Sequence, residues 1–295
     1  MTHRILLDVS SMMYRAFFAM REPGVFTKDG RPVGAVHGYL DMVTRLINDR
    51  HPDEVVHVYD HDWRPTARVE IYAGYKAERP PEPEDLTIQF AMLRQILDRT
   101  GMLQAQTENW EAEDAIGAFC ADAAKDDRIE IVSGDRDLIQ LVDDPVVKLL
   151  FTLRGVSELL ELDEAGVLAK YEVPASRYAE FAILRGDPSD GLPGVRGVGA
   201  KTARDLVLEY PSIDAMLEAA DAGRMTIKPG VRAKLLASRD YLDQMQRIVP
   251  VNATAPLSIW AGDRDEDALR DLAADLGVKG PAQRLLAALA ASDAG

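Results

Sequence analysis

An α/β fold with a helical region after it is predicted by three observations along the 295 residues. Short apolar runs at 5–9, 55–59, 129–132 and 146–151 alternate with stretches whose apolar residues recur three and four apart. Within those runs most residues are apolar with no strict alternation, as in strands covered on both faces of a mostly parallel sheet flanked by helices. Asp8, Asp60, Asp135 and Asp137 fall where the runs end. In a parallel sheet those ends share one rim, and ligands bind there.

Taken in order, the first run is interrupted by Asp8. A buried carboxylate without a partner costs several kcal/mol, so this position demands a reason. Val36, Tyr39, Leu40, Val43, Leu46 and Ile47 keep helical spacing, and the second run closes on Asp60. Periodicity then fails across WRPTARVEIYAGYKAERPPEPED, residues 63–85, which holds four prolines and mixed charge. A loop of that length is commonly functional. Leu86, Phe90, Leu93 and Leu97 mark the next helix, closed by Gly101, and another opens near Glu111 and runs past Cys120. From about residue 162 the chain reads as helical, with stops at Pro174, Pro188, Pro193, Pro211 and Pro229. Residues 272–291, rich in Ala and Leu, form a packing helix, and there is no internal repeat. The expected division is therefore an α/β core over 1–160 and a helical region over 161–295.

Composition sets limits. A net charge of −15 opposes general affinity for nucleic acid. The charge is uneven, however: residues 224–247 carry six bases and two acids, whereas 263–275 carry six acids and two arginines. The acidity also suits cation binding. No apolar run approaches the roughly 20 residues of a membrane span, and Asp8 interrupts any secretory signal. The single Cys120 gives no disulfide framework, which fits a reducing cytoplasm.

Nine carboxylates sit where strands end or helices begin: Asp8, Asp60, Glu111, Glu113, Asp114, Asp135, Asp137, Asp187 and Asp190. Glu111 and Asp114 are three apart and share a helix face. End-capping would explain any one of the acids at that helix start as well as metal binding does. The set carries the signal, because hard divalent cations take clustered oxygens. Two Mg²⁺ or Mn²⁺ ions about 4 Å apart would stabilise the attacking and leaving oxygens of a phosphodiester together. His3, His37, His51, His57 and His61 are scattered, so zinc is not indicated. Next comes GVRGVGAKTA, where Gly194, Gly197 and Gly199 allow a tight turn and Lys201 and Thr202 open a helix. Its glycine spacing fails as a phosphate-binding P-loop. It fits a helix–hairpin–helix turn, centred in 183–210, that grips one DNA strand through backbone N–H groups. A carboxylate rim beside a phosphodiester grip indicates a nuclease. Two other readings are a DNA-binding module without catalysis and a phosphatase with Asp8 as nucleophile. The second lacks the usual D-x-D, since Val9 and Ser10 follow Asp8.

LLDVSSMMYRAFFA, VYD, GYKAERPPEP, EAED, GDRDLIQL and GDPSDGLPGVRGVGAKTA stand in the order and spacing of the bacterial 5′ nuclease family, which the chain resembles over residues 3–255. That family includes the 5′ nuclease domain of DNA polymerase I and stand-alone flap endonucleases, and this chain, without a polymerase module, is similar to the latter. The resemblance implies a PIN/5′ nuclease-like fold with a helical arch or cap around 64–100. It implies a structure-specific 5′ nuclease, a monomer that cuts 5′ flaps, trims 5′ ends and removes RNA primers during replication and repair. The implied substrates are branched or nicked DNA and RNA–DNA hybrids, with no membrane involved. The first metal cluster would comprise Asp8, Asp60, Glu111, Glu113 and Asp114, and the second Asp135, Asp137, Asp187 and Asp190. Lys76, Arg15 and Arg68 would be the active-site bases. Tyr75, Gly194, Gly197, Gly199, Lys201 and Thr202 would meet DNA, with K⁺ at the hairpin. EAED stands where bacterial relatives usually read EADD, and SDG replaces SDN.

Overall fold

The computed structural model describes residues 1–21, 24–224 and 226–293. In chain order the elements are β1 (His3–Asp8), α1 (Val9–Ala19), α2 (Gly34–Arg50), β2 (Glu54–Val58), α3 (Thr66–Ile71), α4 (Glu84–Leu97), β3 (Leu103–Thr107), α5 (Ala112–Ala121), β4 (Arg128–Ser133), β5 (Val147–Thr152) and β6 (Leu159–Leu162). There follow α6 (Glu164–Tyr171), α7 (Tyr178–Arg185), α8 (Ala200–Glu209), α9 (Ile213–Asp221), α10 (Pro229–Ala237), α11 (Arg239–Ile248), β7 (Leu257–Ala261), α12 (Glu266–Asp275) and α13 (Lys279–Asp293). The seven strands make one sheet in the order β6-β5-β4-β1-β2-β3-β7. The neighbours from β5 to β3 are parallel, and β6 and β7 run antiparallel at the edges.

The apolar runs are explained by two cores. Ile5 and Leu7 face the one built with α1, α2, α4, α12 and α13, while Leu6 faces the one built with α5 to α11. From β1 the sheet grows outward through β2 and β3 on one side and through β4 and β5 on the other. A crevice opens where the winding reverses, at the carboxyl ends of β1 and β4.

Three strands escape the sequence patterns. β3 reads LQAQT, and its Gln104 is buried because Tyr59 Oη donates to its Oε1 at 2.9 Å and its Nε2 donates to Asp98 Oδ1 at 2.9 Å. The amide is satisfied, so a polar residue sits in a central strand without cost. β6 straddles the expected boundary at residue 160. The region expected to be helical over 161–295 returns to the sheet: β7 pairs with β3, and α13 packs on α2. Within 64–100 lie α3 and α4, joined by the proline-rich stretch. Among the described residues no helix is long and apolar enough to cross a membrane.

Candidate active site

A cavity of about 800 Å³ opens at the carboxyl ends of β1, β2 and β4, and Asp8, Asp60, Glu111, Glu113, Asp135 and Lys76 are on its wall. Asp8 ends β1 and caps α1, accepting from Ser11 N at 2.9 Å and from Ser133 Oγ at 2.6 Å. Asp60 follows β2 and accepts from Ser10 Oγ at 2.5 Å and Ala112 N at 2.8 Å. Each acid is thus fixed by a hydroxyl and a backbone N–H from a neighbouring element. Burial, then the charge of Asp60, pushes Asp8 up to about 7.

A second group lies beside it. Asp135 accepts from the N–H of Asp137 at 2.8 Å, and Asp187 accepts from Ser189 N at 2.9 Å. Burial raises Asp137 well above the carboxylate range, and the charges of Asp135, Asp190 and Asp187 add to the effect. Among the described residues Asp8, Asp60, Asp135 and Asp137 form no ion pair. Such a gathering of buried and half-buried carboxyl groups matches what divalent cations would take as ligands.

Lys76 stands between the two groups. Its Nζ bonds Glu111 Oε1 and lies 3.8 Å from Asp190 Oδ2, while its own N–H donates to Asp190 O at 2.9 Å. It is 4 % exposed. Burial alone would lower this ammonium, yet Glu111, Glu113 and Asp190 outweigh it and hold the pKa above the ordinary range. The turn depends on Gly191 (φ 71°), where a Cβ would come 2.4 Å from Gly74 O. That contact accounts for glycine in place of asparagine in SDG: the loop carrying Lys76 rests directly on this backbone.

Beyond α7 the hairpin is built on close backbone contacts. A Cβ on Gly194 (φ 70°) would meet Arg185 O at 2.5 Å, and the N–H of Gly194 donates to Tyr241 Oη at 3.0 Å. Gly199 caps α8 without a side-chain bond, and that helix has no acid in its first turn. Its first N–H groups, with exposed Lys201 and half-buried Thr202 beside them, remain open for an anion.

Residues 3–172 match the 5′-3′ exonuclease N-terminal resolvase-like domain, and residues 173–267 match the 5′-3′ exonuclease C-terminal SAM fold. The chain belongs to the 5′-3′ exonuclease family. It is a nuclease acting on 5′ ends. A 5′-3′ exonuclease of Streptomyces coelicolor is 40% identical over 97% of this chain and 100% of its own length. One of Mycobacterium tuberculosis is 39% identical, covering 97% of each chain. Thermus aquaticus thermostable DNA polymerase I is 33% identical over 89% of this chain and 30% of its own. Among solved structures, T5 5′-exonuclease with divalent zinc ions bound superposes with TM-score 0.66 at 17% identity, covering 96% and 98% of the two chains. Flap endonuclease-1 from Methanococcus jannaschii gives 0.63 at 18% identity, covering 98% and 93%. At those identities the likeness is one of fold.

In this 5′-3′ exonuclease chain the expected site residues take several positions. Arg15 lies off the cavity wall and donates to Leu153 O at 3.1 Å. Tyr75, expected to meet DNA, turns inward: its ring is buried and its hydroxyl donates to Glu111 Oε2 at 2.6 Å. Arg68 and Asp114 are buried behind the wall. Arg79 and Arg94, on the wall, were not singled out from the sequence. Arg79 Nη2 donates to Asp190 Oδ1 at 2.7 Å, and its place three residues after Lys76 in GYKAER was the available signal. The Arg94 guanidinium carbon lies 4.8 and 4.7 Å from the ring centroids of Tyr59 and Trp260, which stack on each other, an arrangement that requires β7 and that no local pattern reveals.

The buried acids link protonation to folding. Asp8, Glu113 and Asp137 are all raised, so the folded chain binds protons more tightly than the unfolded one. Stability from this source is full below the unfolded carboxylate range and falls as pH climbs through the folded values, about 7 for Asp8. His57, buried and lowered to about 3, opposes the trend only below its ordinary 6.5. The metal-free protein should therefore melt several degrees lower at about pH 8.5 than at about pH 6.5, and saturating divalent cation should remove the difference. A metal-free melting temperature that is flat or rises over this interval would contradict it.

Proposed function

We propose that this nuclease hydrolyses DNA at 5′ flaps, nicks and 5′ ends, and RNA in RNA–DNA hybrids, with two or more Mg²⁺ or Mn²⁺ ions. The observation that carries this reading is Lys76 set between two groups of carboxylates, one on the cavity wall and the other joined to that wall through Asp135. Asp8, Asp60, Glu111, Glu113 and Asp135 would hold one cation, and Asp135, Asp137, Asp187 and Asp190 the other. Bound there, such ions neutralise phosphate charge and lower the pKa of water. The phosphatase reading lacks the D-x-D it needs, since Val9 and Ser10 follow Asp8.

The chain supplies the remainder. Lys76 and Arg79 offer cations to the scissile phosphate, and the open N–H groups of α8, with Gly197, Lys201 and Thr202, grip a phosphodiester farther along the strand. The segment from 64 to 83, with α4 after it, acts as a cap, since Lys76, Arg79, Pro80 and Glu82 form one side of the cavity. At the hairpin the Gly197 carbonyl already accepts from Lys234 Nζ at 2.7 Å, so K⁺ fits poorly there and no contact is assigned to it. The enzyme works as a monomer in the cytoplasm, in the removal of flaps and primers.

End-labelled flap, nick and single-strand substrates with Mg²⁺, Mn²⁺ or chelator test this. The expected result is metal-dependent cleavage near the flap junction and release of short products from nicks. Binding without cleavage in either metal would reduce the chain to a DNA-binding module.

A further inference from the structure

Arg68 is a cation in an unusual place. It is 2 % exposed, behind the cavity wall, and its nearest partners are all acids of one helix start. Nη1 bonds Glu111 Oε2 and lies 2.9 Å from Glu113 Oε1, while Nη2 donates to Asp114 Oδ1 at 2.8 Å. The rings of Tyr75 and Trp110 lie 5.7 and 5.6 Å from the guanidinium carbon. A guanidinium keeps its charge at any working pH and presents its donors in a rigid plane. Ligand oxygens of Glu111, Glu113 and Asp114 all fall within 4.8 Å of one another. Left to themselves, three such charges would repel one another and turn away.

Asp114 anchors the arginine. It is 0 % exposed and does not reach the cavity. Its Oδ1 accepts from Arg68 Nη2 and from Asn252 N at 2.8 Å, and its Oδ2 accepts from Glu111 N at 3.2 Å. With both oxygens engaged by the interior, Asp114 faces away from any ion in the cavity. Glu111 and Glu113 do reach the wall.

We propose that Arg68, anchored by Asp114, is a positioning residue that holds Glu111 and Glu113 in metal-binding geometry before a metal arrives. It touches neither substrate nor reacting atoms. The proposal rests on the two-cation reading above. It makes an unexpected claim of sign. Near a divalent-cation site a fixed positive charge repels the ion, so its removal should tighten binding if charge were all that mattered. If Arg68 positions the ligands, its removal weakens binding instead.

The test is Mn²⁺ titration of metal-free protein by electron paramagnetic resonance, for the wild type, Arg68→Lys and Arg68→Met. Circular dichroism confirms the fold, and flap affinity is measured in Ca²⁺. Arg68→Lys keeps the charge and loses the planar fork. It is expected to lower Mn²⁺ affinity at least about 10-fold and the single-turnover rate with it, leaving flap affinity within about 3-fold, the scale of lost ligand orientation. Arg68→Met should lower Mn²⁺ affinity further. If Arg68→Met fails to fold, Arg68→Lys still decides. Mn²⁺ affinity equal to or tighter than wild type in a folded variant overturns the proposal. A wild type that binds no Mn²⁺ overturns the two-cation reading itself.

Discussion

Asp135→Ala and Asp190→Ala are each expected to abolish cleavage, leaving less than about a tenth of the wild-type rate, a loss of more than about 1.4 kcal/mol of barrier lowering. Asp135 sits on the cavity wall where the two carboxylate groups meet: it adds to the charge felt by Asp8 and by Asp137. Asp190 lies close to Lys76 and pairs with Arg79, so it joins the acids proposed to hold metal to the bases proposed to meet phosphate. Flap affinity measured in Ca²⁺ should stay nearly intact, because each substitution removes a charge that repels phosphate. Single-turnover rates and affinities on one flap substrate check both halves. A variant that keeps more than a tenth of the rate would remove that residue from the catalytic set.

Lys76→Met is expected to slow single-turnover cleavage by at least about 10²-fold, the usual scale for losing one preorganised electrostatic stabiliser. The ammonium is buried and held charged by Glu111, Glu113 and Asp190, and the residue's own backbone N–H anchors it by donating to Asp190 O. Binding should weaken far less, since one phosphate contact among many changes affinity modestly. Equal losses in rate and binding would make Lys76 a docking residue, and unchanged kinetics would deny it any role.

Where the chain could be read in advance, the reason is physical. Asp8 and Asp60 interrupt or close apolar strands, and acids in such places need a purpose that local sequence exposes. The turn from Gly194 to Lys201 carries its own conformational signature in its glycines. Local sequence could not show partnership. Arg68 meets acids more than 40 positions away, Asp114 is engaged by Asn252, and Arg94 meets the Trp260 ring only once β7 has arrived. β3 stayed hidden because Gln104 is polar on a buried face, and only its bonds to Tyr59 and Asp98 make that tolerable. Tyr75, beside Lys76 in a proline-rich loop, reads as a residue that meets DNA until the loop is seen to fold back onto Glu111.

The return of the chain to its own beginning has a consequence in time. A ribosome releases the polypeptide from its amino end, so every carboxylate proposed to hold metal is made before residue 191. Three contacts nevertheless wait for later residues: the N–H of Asn252 that Asp114 accepts, the strand β7 that closes the edge of β3, and the helix α13 that covers α2. A half-made chain therefore holds its acids without the supports that set their geometry. The ability to cut therefore waits for residues made long after the last of the acids, because the supports at 252, 257–261 and 279–293 follow them in the chain.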